Sequence, residues 1–447
     1  MKMRHSTVRL AIAALLFAGC TATALAQNPT LPQSSWGQTL ISNNVVTPAS
    51  SISNPADAGL RAHTNLKILG GAMTGAPEVT GPPFPGYFFE TPASIACIYE
   101  LVAPWAECNP NVVTENPNRG SRALAVVDAY DDPNAYGDLQ TFSAQFGLAP
   151  ITSNSFQVIY APSGGATPGS CATPPPGAQP PNAGPYGWDV EEALDIEYAH
   201  AMAPNAKLYL VEAQSSYFTD LLCAVTVAGN LVARAGGGEV SMSWGTGEPA
   251  SFSAQYPTQT SMDPVFTKRG IVYFASAGDG PGAIWPSTSP NVVSAGGTTL
   301  STSPTTGAFL EENTWQDGGG GLSTVESRPR YQDGIASIVG TMRGTPDIAA
   351  IANPNTGVWV LDTLVYGPGT WYVVGGTSVS SPLIASIVNA AGSFAESSYN
   401  ELSGIYSRPL GFNDLTLGNC GLYIGNSAVP GWDFCTGWGS PKGYFGK

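Results

Sequence analysis

Residues 191–213 read "EEALDIEYAHAMAPNAKLYLVEA", and this stretch joins two different hydrophobic patterns. Its first part, "EEALDIEYAHAMAP", is typical of a largely buried helix. Its last part, "KLYLVEA" at 207–213, is a continuous apolar run, which indicates a strand buried on both faces. A helix that leads into a fully buried strand is the repeating unit of an α/β fold.

The same alternation continues on both sides of this stretch, from about residue 88 onward. The other strand-like runs are "ALAVVDAY" (123–130), "SFQVIYA" (155–161), "EVSMSWG" (239–245), "GIVYFASAG" (270–278), "NVVSAGG" (291–297) and "GVWVLD" (357–362). Helix-like segments separate them, as right-handed crossovers between parallel strands require. We therefore predict an α/β fold with a mostly parallel central β-sheet flanked by helices in three layers. Ligands and catalytic groups of such sheets gather at the carboxyl ends of the strands.

The first 26 residues are typical of an export signal. Lys2, Arg4 and Arg9 precede the apolar run "LAIAALLFAGC", and small residues allow cleavage near Ala26. "FAGC" at Cys20 also resembles a lipoprotein site. No later apolar stretch approaches the ~18–20 residues that span a bilayer. The prediction is a secreted, periplasmic or extracellular protein without stable membrane insertion.

The remaining chain divides into two predicted parts. Residues 27–87 are rich in Pro, Ser, Asn, Thr and Gly with little periodicity, which predicts a short irregular leader or partial propeptide. Residues 88–447 form the predicted folded domain. The signal holds three of the 17 basic residues and none of the 32 acidic ones, so the exported chain has a net charge of about −18. Such a surface repels nucleic-acid phosphates, which excludes nucleic acid as a partner.

Six cysteines remain after the signal, and an even number in an exported chain favours up to three disulfides. Proximity suggests Cys97–Cys108 and Cys420–Cys435, which leaves Cys171–Cys223, although six cysteines allow fifteen pairings. No cysteine or histidine cluster indicates zinc.

The segment "GGTSVSSPLIAS" at 375–386 contains a candidate nucleophile, Ser378. The preceding glycines permit close backbone approach, and Pro382 fits the first turn of a helix that begins near Ser380 or Ser381. Backbone N–H groups at such a helix start can bind a developing oxyanion. In the competing interpretation the hydroxyls only cap the helix.

A serine nucleophile needs a base, and histidine is a poor candidate here. Asp128, His200 and Ser378 follow the Asp…His…Ser order of subtilisins. However, His200 lies in a helical segment among Ala, Tyr and Met, which is typical of a structural residue.

Carboxylates are the other candidate base. Glu191 and Asp195 are four residues apart, so both project from one face of the helix, although acids near a helix N-terminus also complement its dipole. Two buried neighbouring carboxylates share a proton, and such a pair can act as a general base at acidic pH. Asp279 follows the strand "GIVYFASAG". It is either a turn residue or a protonated acid that donates to an oxyanion.

Together, "GGTSVSSP", "EEALDIEYAHAMAPNAKLYLVEA" and "FASAGDGPG" resemble the sedolisins, the serine-carboxyl peptidases, over residue 88 to the C-terminus. The resemblance implies a subtilisin-like fold, with Ser378 as nucleophile, Glu191 as general base, Asp195 as its supporting acid and Asp279 as oxyanion stabiliser. Glu192 is adjacent, but the family's spacing to Asp195 selects Glu191. An endopeptidase that hydrolyses protein or peptide substrates at acidic pH is implied, and we expect it to be a secreted monomer.

The segments "FNDLT" (412–416) and "PGWDFCTGWGSP" (430–441) resemble the family's calcium site. This implies one structural Ca²⁺, held by the side chains of Asp414 and Asp433 and by the backbone carbonyls of Leu415, Val429 and Gly431. Calcium favours such a mixed oxygen shell. The family usually has glycine where Val429 stands.

The sequence also departs from the family pattern, because sedolisins carry a large folded prodomain and only about sixty residues follow the signal here. Two alternatives stay open. One is a subtilisin-type protease that uses Asp128, His200 and Ser378, and the other is a non-catalytic relative that binds peptide. "SWG" at 243–245 is a candidate for backbone contacts to a peptide.

Overall fold

A computed structural model describes residues 44–447 apart from 55–56, 58, 76, 78–80, 85, 104–105, 250–257 and 422–425. The predicted signal peptide, with Cys20 and Ala26, lies outside the described residues. The α-helices are α1 (Pro92–Ile98), α2 (Ala135–Phe146), α3 (Asp189–Met202), α4 (Phe218–Arg234), α5 (Ala336–Val339), α6 (Thr377–Ala391) and α7 (Ser398–Ser407). The strands are β1 (Val45–Val46), β2 (His63–Thr64), β3 (Lys67–Thr74), β4 (Ala123–Ala129), β5 (Phe156–Tyr160), β6 (Lys207–Ala213), β7 (Gly238–Met242), β8 (Trp244–Gly247), β9 (Ile271–Ser276), β10 (Ile284–Trp285), β11 (Val293–Thr302), β12 (Phe309–Thr314), β13 (Gly321–Ser327), β14 (Met342–Thr345), β15 (Ile348–Ile351), β16 (Val358–Leu361), β17 (Thr370–Gly375), β18 (Phe412–Asn413), β19 (Asn419–Cys420), β20 (Asn426–Ser427) and β21 (Ser440–Pro441).

The central sheet has the strand order β12-β11-β9-β7-β4-β6-β5, and β15 also pairs with β11. All of these pairs are parallel except β11–β12. The predicted mostly parallel sheet is thus confirmed, and six of the seven strand-like runs contribute to it.

Helices cover both faces of this sheet, which explains the continuous apolar runs. In β4, Leu124 and Val126 join the core that contains α2, α3 and α6. Ala123, Ala125 and Val127 face the opposite way, into the core under α4. Because successive strand residues point to opposite faces, both sets must be apolar. The result is the predicted three-layer arrangement.

A second, antiparallel sheet has the order β1-β3-β17-β16 and lies next to the nucleophile segment, because β17 leads directly into α6. It contains the run "GVWVLD", predicted as a strand but without this partner. It also contains β3, which belongs to the segment predicted to be irregular. Ile68, Leu69 and Met73 of β3 are buried in the main core. The glycines at 70 and 71 interrupt the apolar pattern that would have revealed this strand.

The three disulfides are Cys97–Cys108, Cys171–Cys223 and Cys420–Cys435, as sequence proximity suggested. None of the helices in the described part of the chain has the length and hydrophobicity of a membrane-spanning helix.

Candidate active site

Helix α6 begins earlier than the sequence predicted, at Thr377 rather than near Ser380 or Ser381. Pro382 therefore lies inside the helix and not in its first turn, which corrects the prediction. The turn before the helix depends on Gly376, whose φ is 103°. A Cβ at this position would lie 2.0 Å from the carbonyl oxygen of Asn65 and 2.6 Å from Oδ2 of Asp279. Only glycine allows this close approach.

Ser378 consequently lies in the first turn of α6, and its side chain is fully buried. Its hydroxyl donates to the carbonyl oxygen of Ser243 at 3.1 Å and accepts from the backbone N–H of Asn65 at 3.2 Å. Its own backbone N–H donates to the carbonyl oxygen of Asn65 at 3.1 Å. A backbone N–H in the first turn of a helix has no partner within the helix, so this one can stabilise negative charge on the oxygen that it contacts.

Helix α3 places Glu191 and Asp195 beside Ser378, and both carboxyl groups are fully buried. Burial raises the pKa of Glu191 well above its usual value, and the charges of Asp128 and Asp279 raise it further. The hydroxyls of Ser378 and Thr64 are close enough to lower that pKa again.

Asp195 receives a hydrogen bond from the hydroxyl of Ser243 at 2.8 Å. Burial raises its pKa well above the usual value, and the charges of Asp128 and Glu191 act in the same direction. Two buried carboxyl groups in such a position stay protonated to a higher pH than exposed acids do.

Asp128 is a third buried acid at this site, and sequence reasoning considered it only as part of a histidine triad. It is fully buried, and neither carboxyl oxygen has a hydrogen-bond partner among the described residues. Burial raises its pKa to about 8. The available signal was strand alternation, because residue 128 lies on the same face of β4 as Leu124 and Val126, which pack with α3.

Asp279 follows β9, at the carboxyl end of the strand, as predicted. Its Oδ1 accepts from the backbone N–H and the hydroxyl of Thr377, at 2.7 and 2.9 Å. Burial raises the pKa of Asp279 to about 7, although the Thr377 N–H and the charge of Lys67 oppose this. Below that pH the group is a neutral acid that can donate a hydrogen bond.

His200 does not lie with these groups. It is nine residues after Glu191 in α3, which corresponds to about 13 Å along the helix axis. Its Nε2 is 2.9 Å from the carbonyl oxygen of Ala149, and burial lowers its pKa. The Asp128–His200–Ser378 triad is therefore wrong, because the helix separates its histidine from its serine.

Residues 63–65 run along the site as an antiparallel strand. His63 pairs with Gly245 and Thr64 with Trp244, so the predicted peptide-contact segment "SWG" does contact extended backbone. The backbone N–H of Asn65 also lies 3.3 Å from the carbonyl oxygen of Ser243. Sequence reasoning missed this occupant, since "HTN" carries no strand pattern.

The five residues predicted to bind calcium lie on two loops, one between β18 and β19 and one after β20, and a hydrogen bond from Gly431 to Asp414 joins the loops. Oδ2 of Asp414 accepts from Gly431 N–H at 2.8 Å, and Oδ2 of Asp433 accepts from Val429 N–H at 3.1 Å. In the described part of the chain, no hydrogen-bond donor contacts the carbonyl oxygens of Leu415, Val429 or Gly431. Two carboxylates and three free carbonyls are oxygen ligands of the type that calcium prefers.

A separate acidic group was not predicted. Asp132, Asp138 and Asp362 are buried, and one oxygen from each lies within 4.8 Å of the others. Asp132 and Asp138 lie six residues apart at the start of α2, whereas Asp362 follows β16, so sequence spacing does not reveal the group.

Comparison with known proteins gives consistent relatives. Kumamolisin from Bacillus sp. (strain MN-32) is 33% identical over 298 residues, which cover 59% of this chain and 51% of kumamolisin. Sedolisin from Pseudomonas sp. (strain 101) is 26% identical over 415 residues, covering 85% of this chain and 63% of sedolisin. Tripeptidyl-peptidase 1 from Rattus norvegicus is 26% identical over 311 residues, which cover 57% of this chain and 50% of that peptidase. The chain thus spans about half to two thirds of the length of these relatives.

No protein-family model matches the chain. Among solved structures, Pseudomonas sedolisin, a serine-carboxyl proteinase complexed with two molecules of pseudo-iodotyrostatin, matches with a TM-score of 0.60 at 23% identity. This match covers 79% of the chain and 95% of that structure, and it confirms the predicted subtilisin-like α/β fold. These relatives and this fold support the sedolisin family as the group that the chain resembles in sequence and in structure.

Proposed function

We propose that the protein is a secreted serine-carboxyl endopeptidase that hydrolyses peptide bonds of proteins and peptides at acidic pH, as a monomer. The observation that carries the proposal is the meeting of a serine hydroxyl, at a helix N-terminus, with three buried carboxyl groups. Ser378, Glu191, Asp195 and Asp279 come from three separate elements, α6, α3 and the turn after β9. The family relationship supports the same assignment.

In the proposed reaction, Ser378 Oγ attacks the carbonyl carbon of the substrate while its proton passes to Glu191. Glu191 can accept this proton because the proton it already shares with Asp195 can move toward Asp195. The hydrogen bond from Ser243 to Asp195 fixes the orientation of that second carboxyl group. Asp128 adds a third acid behind the pair, and its charge raises both of their pKa values.

Attack converts the carbonyl oxygen into an oxyanion, which needs donors that are already in place. The backbone N–H of Ser378 is one donor, and the protonated carboxyl group of Asp279 is the other. Asp279 is held by two hydrogen bonds from Thr377, so its free oxygen stays aimed at the turn around Gly376. One such donor contributes about 10²–10³ in rate.

The tetrahedral intermediate then collapses, and Glu191 returns the proton to the departing amine. Water enters, gives its proton to Glu191 and attacks the ester of Ser378, which regenerates the free hydroxyl. Glu191 therefore acts as base and acid in turn, as a carboxyl group with a raised pKa can.

One structural calcium ion is proposed at Asp414, Asp433 and the carbonyls of Leu415, Val429 and Gly431. When bound, it would neutralise the two aspartates and hold the loop between β18 and β19 against the loop after β20. Because a ligand that binds only the folded state stabilises it, calcium should raise the melting temperature and a chelator should lower it.

A non-catalytic peptide-binding relative is the second candidate function, and the strand at residues 63–65 that fills the site favours it. Hydrolysis of a denatured protein substrate between about pH 3 and 5, after incubation at that pH, separates the two candidates. We expect hydrolysis by the wild-type protein and none by S378A. S381A is the matched control, because Ser381 lies in the same helix and contacts Ser241 instead. Equal hydrolysis by the wild-type protein and S378A would disprove the assignment.

A further inference from the structure

Residues 63–65 do more than cover the site, because they bind it in the register that a substrate requires. The antiparallel pairing of His63 with Gly245 and of Thr64 with Trp244 continues into the hydrogen bond from Asn65 N–H to the Ser243 carbonyl. Main-chain pairing with a sheet edge is how extended peptides are commonly recognised. This ladder brings the carbonyl group of Asn65 to the nucleophile.

The Asn65 carbonyl group contacts one proposed oxyanion donor and lies on the same side of Gly376 as the other. Its oxygen is 3.1 Å from the backbone N of Ser378. It also lies against Gly376, on the side where Oδ2 of Asp279 approaches the same glycine. The hydroxyl oxygen of Ser378 is 3.2 Å from the backbone N of Asn65. Backbone and side chain of Ser378 thus contact Asn65 on both sides of its α-carbon, which places the nucleophile beside the carbonyl group of this residue.

The side chain of Asn65 is buried in a specific pocket. Its Nδ2 donates to the hydroxyl oxygen of Ser276 at 2.7 Å, and both residues are almost completely inaccessible to solvent. Ser276 is the last residue of β9, so a rigid strand presents this hydroxyl. A buried carboxamide without a partner costs free energy, which makes this contact a source of selectivity.

The chain continues past the site in a second paired strand. Leu66 is fully buried, and its N–H donates to the hydroxyl of Ser51 at 3.2 Å. Strand β3 then pairs with β17 over most of its length, from Lys67 to Thr74. The Asn65–Leu66 bond is thus held from both sides, by β8 before it and by β17 after it.

We propose that the Asn65–Leu66 peptide bond is a processing site that Ser378 of the same chain cuts, and that Ser276 selects the asparagine before the cut. The uncut segment excludes other peptides from the site, so cleavage is the step that opens it. This inference rests on the proposed peptidase function and adds its first substrate and a residue that determines specificity.

The chemistry balances with water as the only co-reactant. Ser378 Oγ forms an ester with the Asn65 carbonyl carbon, the Asn65–Leu66 C–N bond breaks, and the hydroxyl proton reaches the Leu66 amine through Glu191. Water then hydrolyses the ester, which leaves a carboxylate on Asn65, a free amine on Leu66 and the original Ser378 hydroxyl.

The test is to shift the purified full chain from neutral to acidic pH and follow it by intact mass and N-terminal sequencing. We expect a new N-terminus at Leu66, formed at a rate independent of protein concentration, and none in S378A. The Asn230–Leu231 bond is an internal control, since it has the same two residues but lies in α4. A chain that stays intact while hydrolysing other proteins, or one cut at a different bond, would overturn the proposal.

The role of Ser276 is tested by a double-mutant cycle. N65L and S276A should each slow the cleavage by about tenfold or more, because each removes one partner of a buried hydrogen bond. The double variant should lose little beyond either single variant. Additive losses would show that the two side chains do not act together and would overturn the selectivity assignment.

Failure of the inference is distinguishable from failure of the proposed function. A synthetic peptide spanning residues 61–70 and a denatured protein are supplied to the acid-treated wild-type protein. Hydrolysis of the protein substrate without a cut in the chain would disprove only the proposed processing site. If neither substrate is hydrolysed and the chain is not cut, the proposed peptidase function is disproved, and so is the processing site that rests on it.

Discussion

The carboxyl groups around Ser378 and the carboxyl group of Asp347 are equally buried but are neutralised in opposite ways. Asp347 is fully buried and receives Arg343 Nη1 at 2.8 Å and Nη2 at 2.6 Å, together with the hydroxyl of Tyr406 at 2.8 Å. Asp128 is also fully buried, yet no hydrogen-bond donor among the described residues contacts it.

The difference follows from the cost of burying charge. A buried carboxylate needs a cation or a proton, because desolvation is otherwise too expensive. Arg343 supplies a permanent cation beside Asp347, and the negative charge beside it raises the pKa of Arg343 further. For the acids near Ser378, a proton takes the place of the cation and removes the charge. The ionisation state of this site therefore depends on pH. The Arg343–Asp347 pair thus serves the structure, whereas the acids near Ser378 respond to pH.

The largest expected effect is that of E191Q, which keeps the shape of the side chain but cannot accept the proton of Ser378. Removing a general base costs about 10²–10⁴ in kcat. The matched control is E192Q, an equally buried acid on the next residue, for which kcat should stay within a few-fold. Kinetics at the acidic optimum decide between them, and equal losses in both variants would mean that the base is misassigned.

At the structural region, D347N should act on stability and not on the pH profile. It leaves the buried Arg343 without its charge partner, which costs about 3–5 kcal/mol. Urea unfolding measures this loss. The pH profile of the remaining activity should match that of the wild-type protein, and a shifted profile would show that the two regions are coupled.

Asp279 should define the alkaline limit of activity. Its pKa of about 7 keeps it a neutral donor in acid, and ionisation above that pH removes the donor and adds a repelling charge. D279A should lower kcat by about 10²–10³ at acidic pH. The loss should shrink as the pH passes 7, because the wild-type protein loses the same donor there; a pH-independent loss would contradict this role.

The effect that is smallest over any single pH unit is the pH dependence of stability. The pKa of Asp128 is raised to about 8 in the folded state, whereas an exposed aspartate titrates near 4. Between these two pH values, the folded state binds one proton more than the unfolded state. The contribution of this proton to the free energy of unfolding is therefore complete below about pH 4 and is lost as the pH rises through 8. Within this pH range, each such group lowers the free energy of unfolding by up to about 1.4 kcal/mol for every unit by which the pH rises.

Urea unfolding at several pH values from 4 to 8 measures this slope. D128N should reduce this slope by the amount that corresponds to one proton, since an amide does not ionise. A wild-type stability that rises with pH across this range would contradict the assigned protonation of the buried acids.

The sequence allowed the central sheet to be predicted because residues such as Leu124 and Val127 are apolar on both faces of the same strand. The helix start was predicted wrongly because Pro382 is tolerated inside α6, where a rule based on the first turn does not apply. Strand β2 was missed because its stability comes from pairing with β8, a partner far away in the chain. Asp362 could not be grouped with Asp132 and Asp138 for the same reason, since only the folded topology brings it to them.

Strand β3 has a practical consequence for protein production. A truncated chain that starts at residue 88, the predicted beginning of the domain, lacks the strand that pairs with one side of β17. It would expose a hydrogen-bonding edge next to Trp371 and Val373, and such edges promote aggregation. A chain that starts at Leu66 keeps this edge covered and leaves the cleft before it open. Expression trials of the two truncations should therefore differ in solubility.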